Sequence, residues 1–158
     1  MAIIYSIYCR YNKSAIEEGR RYLASMSVEG FYDSYLKATL EKYPDLSIIK
    51  QNNDMIDILC QKRGKTYFFR YHRCCLVTVE QYEMFLSTAE KQRARRAFYI
   101  TCGSFDHSLV KANRNSMFLM ESRIFLIDGL HIIKKVIGVR RKWSARKKRL
   151  KMIDLYMP

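Results

Sequence analysis

Residues 55–73, MIDILCQKRGKTYFFRYHR, decide how this chain is read. Two runs rich in β-branched and aromatic residues, Met55–Lys62 and Lys65–Arg73, flank the dipeptide Arg63-Gly64. Glycine tolerates a positive φ, so the dipeptide reads as a two-residue hairpin turn. Such a turn sets Lys62 opposite Lys65, and the pairing propagates to Asp57 opposite Arg70 and Met55 opposite His72. Side chains alternate with period two, so Asp57, Arg70 and His72 project from one face of the hairpin. Cross-strand neighbours lie roughly 4.5–5.5 Å apart at Cβ, within reach of an ion pair. A slip of one residue would move Asp57 to the other face.

Outward from the hairpin, Leu46–Lys50 reads as a further strand. Before it, Val28, Phe31, Tyr32, Tyr35, Leu36, Leu40 and Tyr43 fall at helical spacing, with Ser27 as N-cap and Pro44 as the stop. Ser14-x-x-Glu17 resembles a capping box that opens a short helix to about Met26. Residues 2–9 alternate weakly, as an edge strand would. After the hairpin, Thr78-x-x-Gln81 opens a helix whose apolar face is Val79, Tyr82, Phe85, Leu86 and Ala89. Ala97–Thr101 reads as a buried strand, Asp106 as the cap of a helix to about Asn113, Arg123–Ile127 as a strand, and Asp128 as the cap of a helix over Leu130–Val136. A strand meander followed by crossovers predicts an α/β domain, a mixed central sheet flanked by helices. The expected organisation is an N-terminal extension (1–27), one domain (28–137) and a basic C-terminal tail (138–158).

The 158 residues carry 29 Lys+Arg against 15 Asp+Glu, a net charge of +14, with 49% apolar and 13% aromatic residues. That composition supports one folded core and excludes a wholly disordered basic protein. Ala2–Cys9 is far shorter than the roughly 20 residues a membrane span needs, and it lacks the flanks of a signal peptide. Cys9, Cys60, Cys74, Cys75 and Cys102 form no CxxC pair, and their odd count fits reduced, buried thiols in a cytoplasmic compartment. Arg140, Arg141, Lys142, Arg146, Lys147, Lys148, Arg149 and Lys151 face Asp154 alone, so half the net charge lies in the tail. Such a density of cations repels itself unless a polyanion neutralises it. Nucleic acid is the expected partner, with Trp143 either stacking on a base or packing on the domain. An anionic membrane would want an apolar stripe, which Trp143, Leu150 and Ile153 give only brokenly. Lys62, Arg63 and Lys65 at the turn form a second basic cluster. Lys91, Arg93, Arg95 and Arg96 form a third, where a helix dipole already favours cations.

With these features in view, residues 51–60 together with Tyr67–Arg73 resemble the core of the Mrr-like branch of the restriction-endonuclease superfamily. There, an Asp on one strand precedes a Gln/Glu-x-Lys triplet on the next. The resemblance extends over about Val28–Val136, through the Thr101-Cys-Gly-Ser-Phe105 turn and Leu126-Ile-Asp-Gly129. It implies that Asp57 matches the metal-binding aspartate and that Asp33 stands where many members carry an acidic residue. Arg70 takes the Gln/Glu position and His72 that of the catalytic lysine. In active members the acidic groups hold magnesium, which activates water. Arginine offers no lone pair and brings a fixed positive charge. At about 4 Å and an effective dielectric near 20, two unit charges interact by roughly 4 kcal/mol, doubled for a divalent ion. Arg70 is therefore expected to replace the metal and to pair with Asp57. His72 is open to three readings: a neutral packing residue, a phosphate contact, or an acid–base group.

The resulting expectation is a DNA-binding protein on a nuclease fold without metal-dependent cleavage or cofactor. Its binding surface would comprise Lys62, Arg63, Lys65, Arg70, His72 and Arg73 on the old substrate face, together with the tail. Two alternatives stand beside it. One is an active nuclease, using Asp57 and His72 with magnesium or manganese. The other is an accessory subunit of a DNA-processing or secretion assembly, which meets a protein partner or a second copy of itself.

Overall fold

A computed structural model describes residues 13–41, 43, 45–109 and 123–133. The expected strand at 2–9 and the whole tail, including Trp143, lie outside the described residues. Arg63 and Gly64 take φ of 52° and 70°, the pair of positive values that a tight two-residue hairpin turn requires. Strand β2 (Met55–Lys62) therefore pairs antiparallel with β3 (Lys65–His72) in the expected register, Asp57 facing Arg70 and Met55 facing His72. β1 (Asp45–Gln51) adds antiparallel to β2, with a register irregularity between Ile48 and Lys50.

Thr78 then caps the helix that carries the chain across. Its side chain accepts from the Gln81 backbone N–H while Gln81 reaches back to the Thr78 N–H, completing the capping box. The crossover leads to β5 (Arg96–Thr101), parallel to β3, and β7 (Arg123–Ile127) is parallel to β5. The sheet order is β1-β2-β3-β5-β7, a five-stranded mixed sheet in an α/β fold. Two-residue strands β4 (Leu76–Val77) and β6 (Ser104–Phe105) form a separate parallel pair.

Helices pack on both faces of the central strands, while β1 is exposed along most of its length. Ile58, Phe69 and Phe98 face helix α1 (Lys13–Ser25) and the helical stretch 28–40, in a core that also takes Ile16 and Leu23. Helix α1 thus shares the core of the following domain. Lys13 is already helical, so Ser14 lies inside α1 and not at its cap. The stretch 28–40 departs from the single helix that the spacing predicts. It runs as α2 (Val28–Phe31), a wider π-helical turn (Tyr32–Leu36) and α3 (Lys37–Leu40). Its buried side chains, Val28, Phe31, Leu36 and Leu40, still face the core. The opposite sheet face packs Phe68, Ala97, Tyr99 and Ile124 against Tyr82 and Phe85 of helix α4 (Val79–Lys91).

The two glycine-bearing turns meet at the carboxyl ends of the parallel strands. The Gly129 N–H donates to the Gly103 carbonyl at 2.9 Å. A Cβ on Gly129 would sit 1.9 Å from the Cys102 carbonyl oxygen, and one on Gly103 2.1 Å from that of Cys75. Close backbone approach explains both glycines. Gly129→Ala is expected to cost about 1–3 kcal/mol through overpacking, seen as a lower urea midpoint at constant m-value. An unchanged midpoint would show that this approach is not needed.

Candidate functional site

Asp57 and Arg70, one on each arm of the hairpin, form the buried centre of the α4 face. The Arg70 Nε and Nη2 donate to Oδ1 and Oδ2 of Asp57, each at 2.7 Å. This is the two-pronged geometry that suits guanidinium to carboxylate. Relative exposure is 1% for Asp57 and 5% for Arg70. Around the guanidinium stand the rings of Phe68, Phe85 and Tyr99, with centroids 5.8, 5.7 and 5.9 Å from its central carbon. The cation is thus compensated twice, by a carboxylate in line and by ring faces.

His72, two residues on and half-buried, lies with Nδ1 3.0 Å from the Tyr99 hydroxyl. Tyr99 stands beside Arg70 in the parallel ladder, which brings it to the same face. Burial, and then the nearby Arg70 charge, lower the His72 pKa below 6.5. The neutral ring is the form that accepts a hydrogen bond from tyrosine. Of the three roles open to His72, the geometry accommodates the neutral, hydrogen-bonded one. Burial also raises the Tyr99 hydroxyl well above the usual tyrosine range, against the opposing pull of Arg70. The sign of the pH effect follows. A histidine whose pKa is lower folded than unfolded takes up more protons when the chain unfolds. Stability from this group is therefore complete above the unfolded value near 6.5 and declines as pH falls below it. His72→Asn should flatten that part of an acid-stability profile, and an unaltered profile would remove His72 as its source.

The residues present do not fit a magnesium ion. Both Asp57 oxygens are engaged by a guanidinium, and a metal at that place would meet its positive charge. Among the described residues no three His, Cys, Asp or Glu side chains are grouped to hold a metal.

Asp33 does not join this site. It lies in the π-helical turn on the other side of the sheet, 60% exposed at its side chain, and pairs with Lys37 at 3.2 Å. Arg70, expected on the old substrate face, is buried, with Phe85 of α4 over it. Nor do the turn cations share a surface with His72. Lys65 opens β3 and His72 closes it, about 23 Å apart at 3.3 Å per residue. Lys62, Arg63 and Lys65 are exposed at the far end, with the Lys62 ammonium 5.6 Å from the Tyr43 ring centroid. Arg73 lies at the His72 end and is paired with Asp54 at 3.2 Å. Asp128 caps the 129–133 helix, accepting from the His131 N–H at 2.7 Å and facing its ring nitrogen at 2.9 Å. Of the four described cysteines, only Cys60 is fully buried, which pushes its thiol up to about 12. Cys74 and Cys102 are half-buried and Cys75 is exposed, so the uniform expectation of buried thiols holds for Cys60 alone among the described residues.

Phe68, Tyr99 and Phe85 are the site residues that sequence reasoning did not assign. Phe85 was legible as an apolar position of its helix. Tyr99 needed the parallel register, which no short turn announces. No protein-family model matches the chain, and no curated protein matches it either. No helix among the described residues is long and apolar enough to cross a membrane.

Proposed function

We propose that this chain is a nucleic-acid-binding protein, with duplex DNA as its ligand, on a restriction-endonuclease-like core of the Mrr-like branch. In this reading it has lost metal-dependent cleavage. The observation that carries it is the two-pronged Asp57–Arg70 pair, which puts a fixed cation where a cleaving enzyme of that kind needs a divalent one. The strand order β1-β2-β3-β5-β7 and the position of Asp57 on the second strand support the same reading. So does a net charge of +14. A reducing cytoplasm suits the four described cysteines, all free thiols.

A gel-shift titration and a cleavage assay in magnesium or manganese, run on one DNA sample, test the reading together. The expected result is retarded DNA that stays intact. Cleavage that disappears in Asp57→Asn would instead establish a nuclease. Absence of any retardation near physiological salt would remove nucleic acid as the ligand and favour a protein partner or a second copy of the chain.

A further inference from the structure

Two basic clusters separate in sequence, at the hairpin turn and after helix α4, come together at one end of the sheet. The Arg95 N–H donates to the Thr66 carbonyl at 2.9 Å, tying the loop after α4 to the start of β3. Arg96 then pairs with Tyr67 in the parallel ladder, and Arg123 stands beside Arg96. Lys62, Arg63, Lys65, Lys91, Arg93 and Arg95 are all exposed there. None of the six is in an ion pair among the described residues. Among the described residues, Asp45, paired with Gln61, and Glu90, next to Lys91, bring negative charge to this end, and the cations outnumber them.

The other end has the opposite character. Arg73 is matched by Asp54, His131 faces Asp128, and Arg70 is spent on Asp57. Strand alternation does not explain the difference, and neither does a helix dipole, which accounts at most for Lys91 and its near neighbours.

We infer that the end of the sheet formed by residues 62–65 and 91–96, and not the Asp57–His72 end, is the surface that grips the phosphodiester backbone. The inference rests on the nucleic-acid reading and assigns its surface. From β2 to β7 this end spans three strand spacings, about 14 Å at 4.8 Å each. Duplex DNA presents about eight backbone charges over that length. The cations present are of that order. Among the described residues, the exposed large apolar side chains (Tyr22, Ile48, Ile49, Leu76, Val79, Met84) all lie outside residues 62–65 and 91–96. A membrane surface wants apolar insertion beside its charges, whereas a phosphate polymer does not.

The test compares the full-length chain with a variant carrying Lys62→Gln, Arg63→Asn, Lys65→Gln, Arg93→Asn and Arg95→Gln. Asparagine serves at 63 and 93 because both residues have positive φ. Binding to a short DNA duplex is measured across a salt series. Each phosphate contact contributes about 0.9 to the log–log slope, so the slope should become shallower by up to about 4.5. A variant with Arg20→Gln and Arg21→Gln, exposed cations of α1, is the matched control and should change it far less. Should the fivefold variant misfold by circular dichroism, Lys65→Gln with Arg95→Gln alone carries the comparison, with a change of up to about 1.8. Wild-type binding with an unchanged slope in the end variant would overturn the inference and leave the nucleic-acid reading standing. No wild-type binding would overturn both. Loss of binding to anionic vesicles, with DNA binding intact, would reassign this end to a membrane surface.

Discussion

Asp57→Ala is expected to remove about 3–5 kcal/mol of folding stability, because it leaves the Arg70 guanidinium among three aromatic rings with no counter-charge. Domains of ordinary stability hold about 5–15 kcal/mol in all, so this variant approaches the threshold of unfolding. Arg70→Ala should cost about as much, since it leaves a carboxylate that is 1% exposed. Replacing both, as Asp57→Leu with Arg70→Met, should recover most of the loss. Desolvating two charges offsets much of what their attraction supplies. Urea titration of the wild type and the three variants reads each of these changes as a shift of the midpoint. If Asp57→Ala alone fell within about 1 kcal/mol of the wild type, the pair would not be buried as described.

Phe98→Ala should cost a similar amount, about 3–5 kcal/mol, by a different route. Phe69, Phe98 and Phe125 occupy one rung across β3, β5 and β7, with ring centroids 4.6 and 4.9 Å apart. Phe98 is the middle ring and has no exposure. Its truncation removes contacts to both neighbours and leaves a void that a sheet, fixed by its ladder bonds, cannot close. Aromatic pairing adds about 0.5–1.5 kcal/mol per pair beyond area burial, so Phe98→Leu should retain part of the loss. A shift under about 1.5 kcal/mol for Phe98→Ala, well below the usual range for a buried ring, would mean that the layer relaxes around the gap.

The hairpin was legible because its register is a local property. One glycine permits the turn, and alternation then places every side chain from Met55 to His72. The capping box at Thr78 was legible for the same reason, as its two bonds span three residues. The π-helical turn at Tyr32–Leu36 left no mark, because the apolar spacing survives the widening. Strands β4 and β6 are two residues each, too short for any period to show. The candidate site was half-legible. Asp57 opposite Arg70 follows from the turn, but the roof of Phe85 and the Tyr99 link to His72 depend on a crossover. A helical crossover fixes no register that residues alone disclose. The meeting of the two basic clusters at one sheet end was hidden likewise, since it depends on the same crossover, through the Arg95–Thr66 bond.

Asp57 and Arg70 are 13 positions apart, whereas the helix that covers them starts only at Val79. Synthesis from the amino end delivers both partners before their cover. In a chain folding from its amino end, carboxylate and guanidinium would meet while still hydrated, where such a contact contributes roughly 1 kcal/mol or less. On that order, dehydration of the pair would await the docking of α4, whose Phe85 covers the guanidinium, and lifting that helix would wet the pair before the strands part.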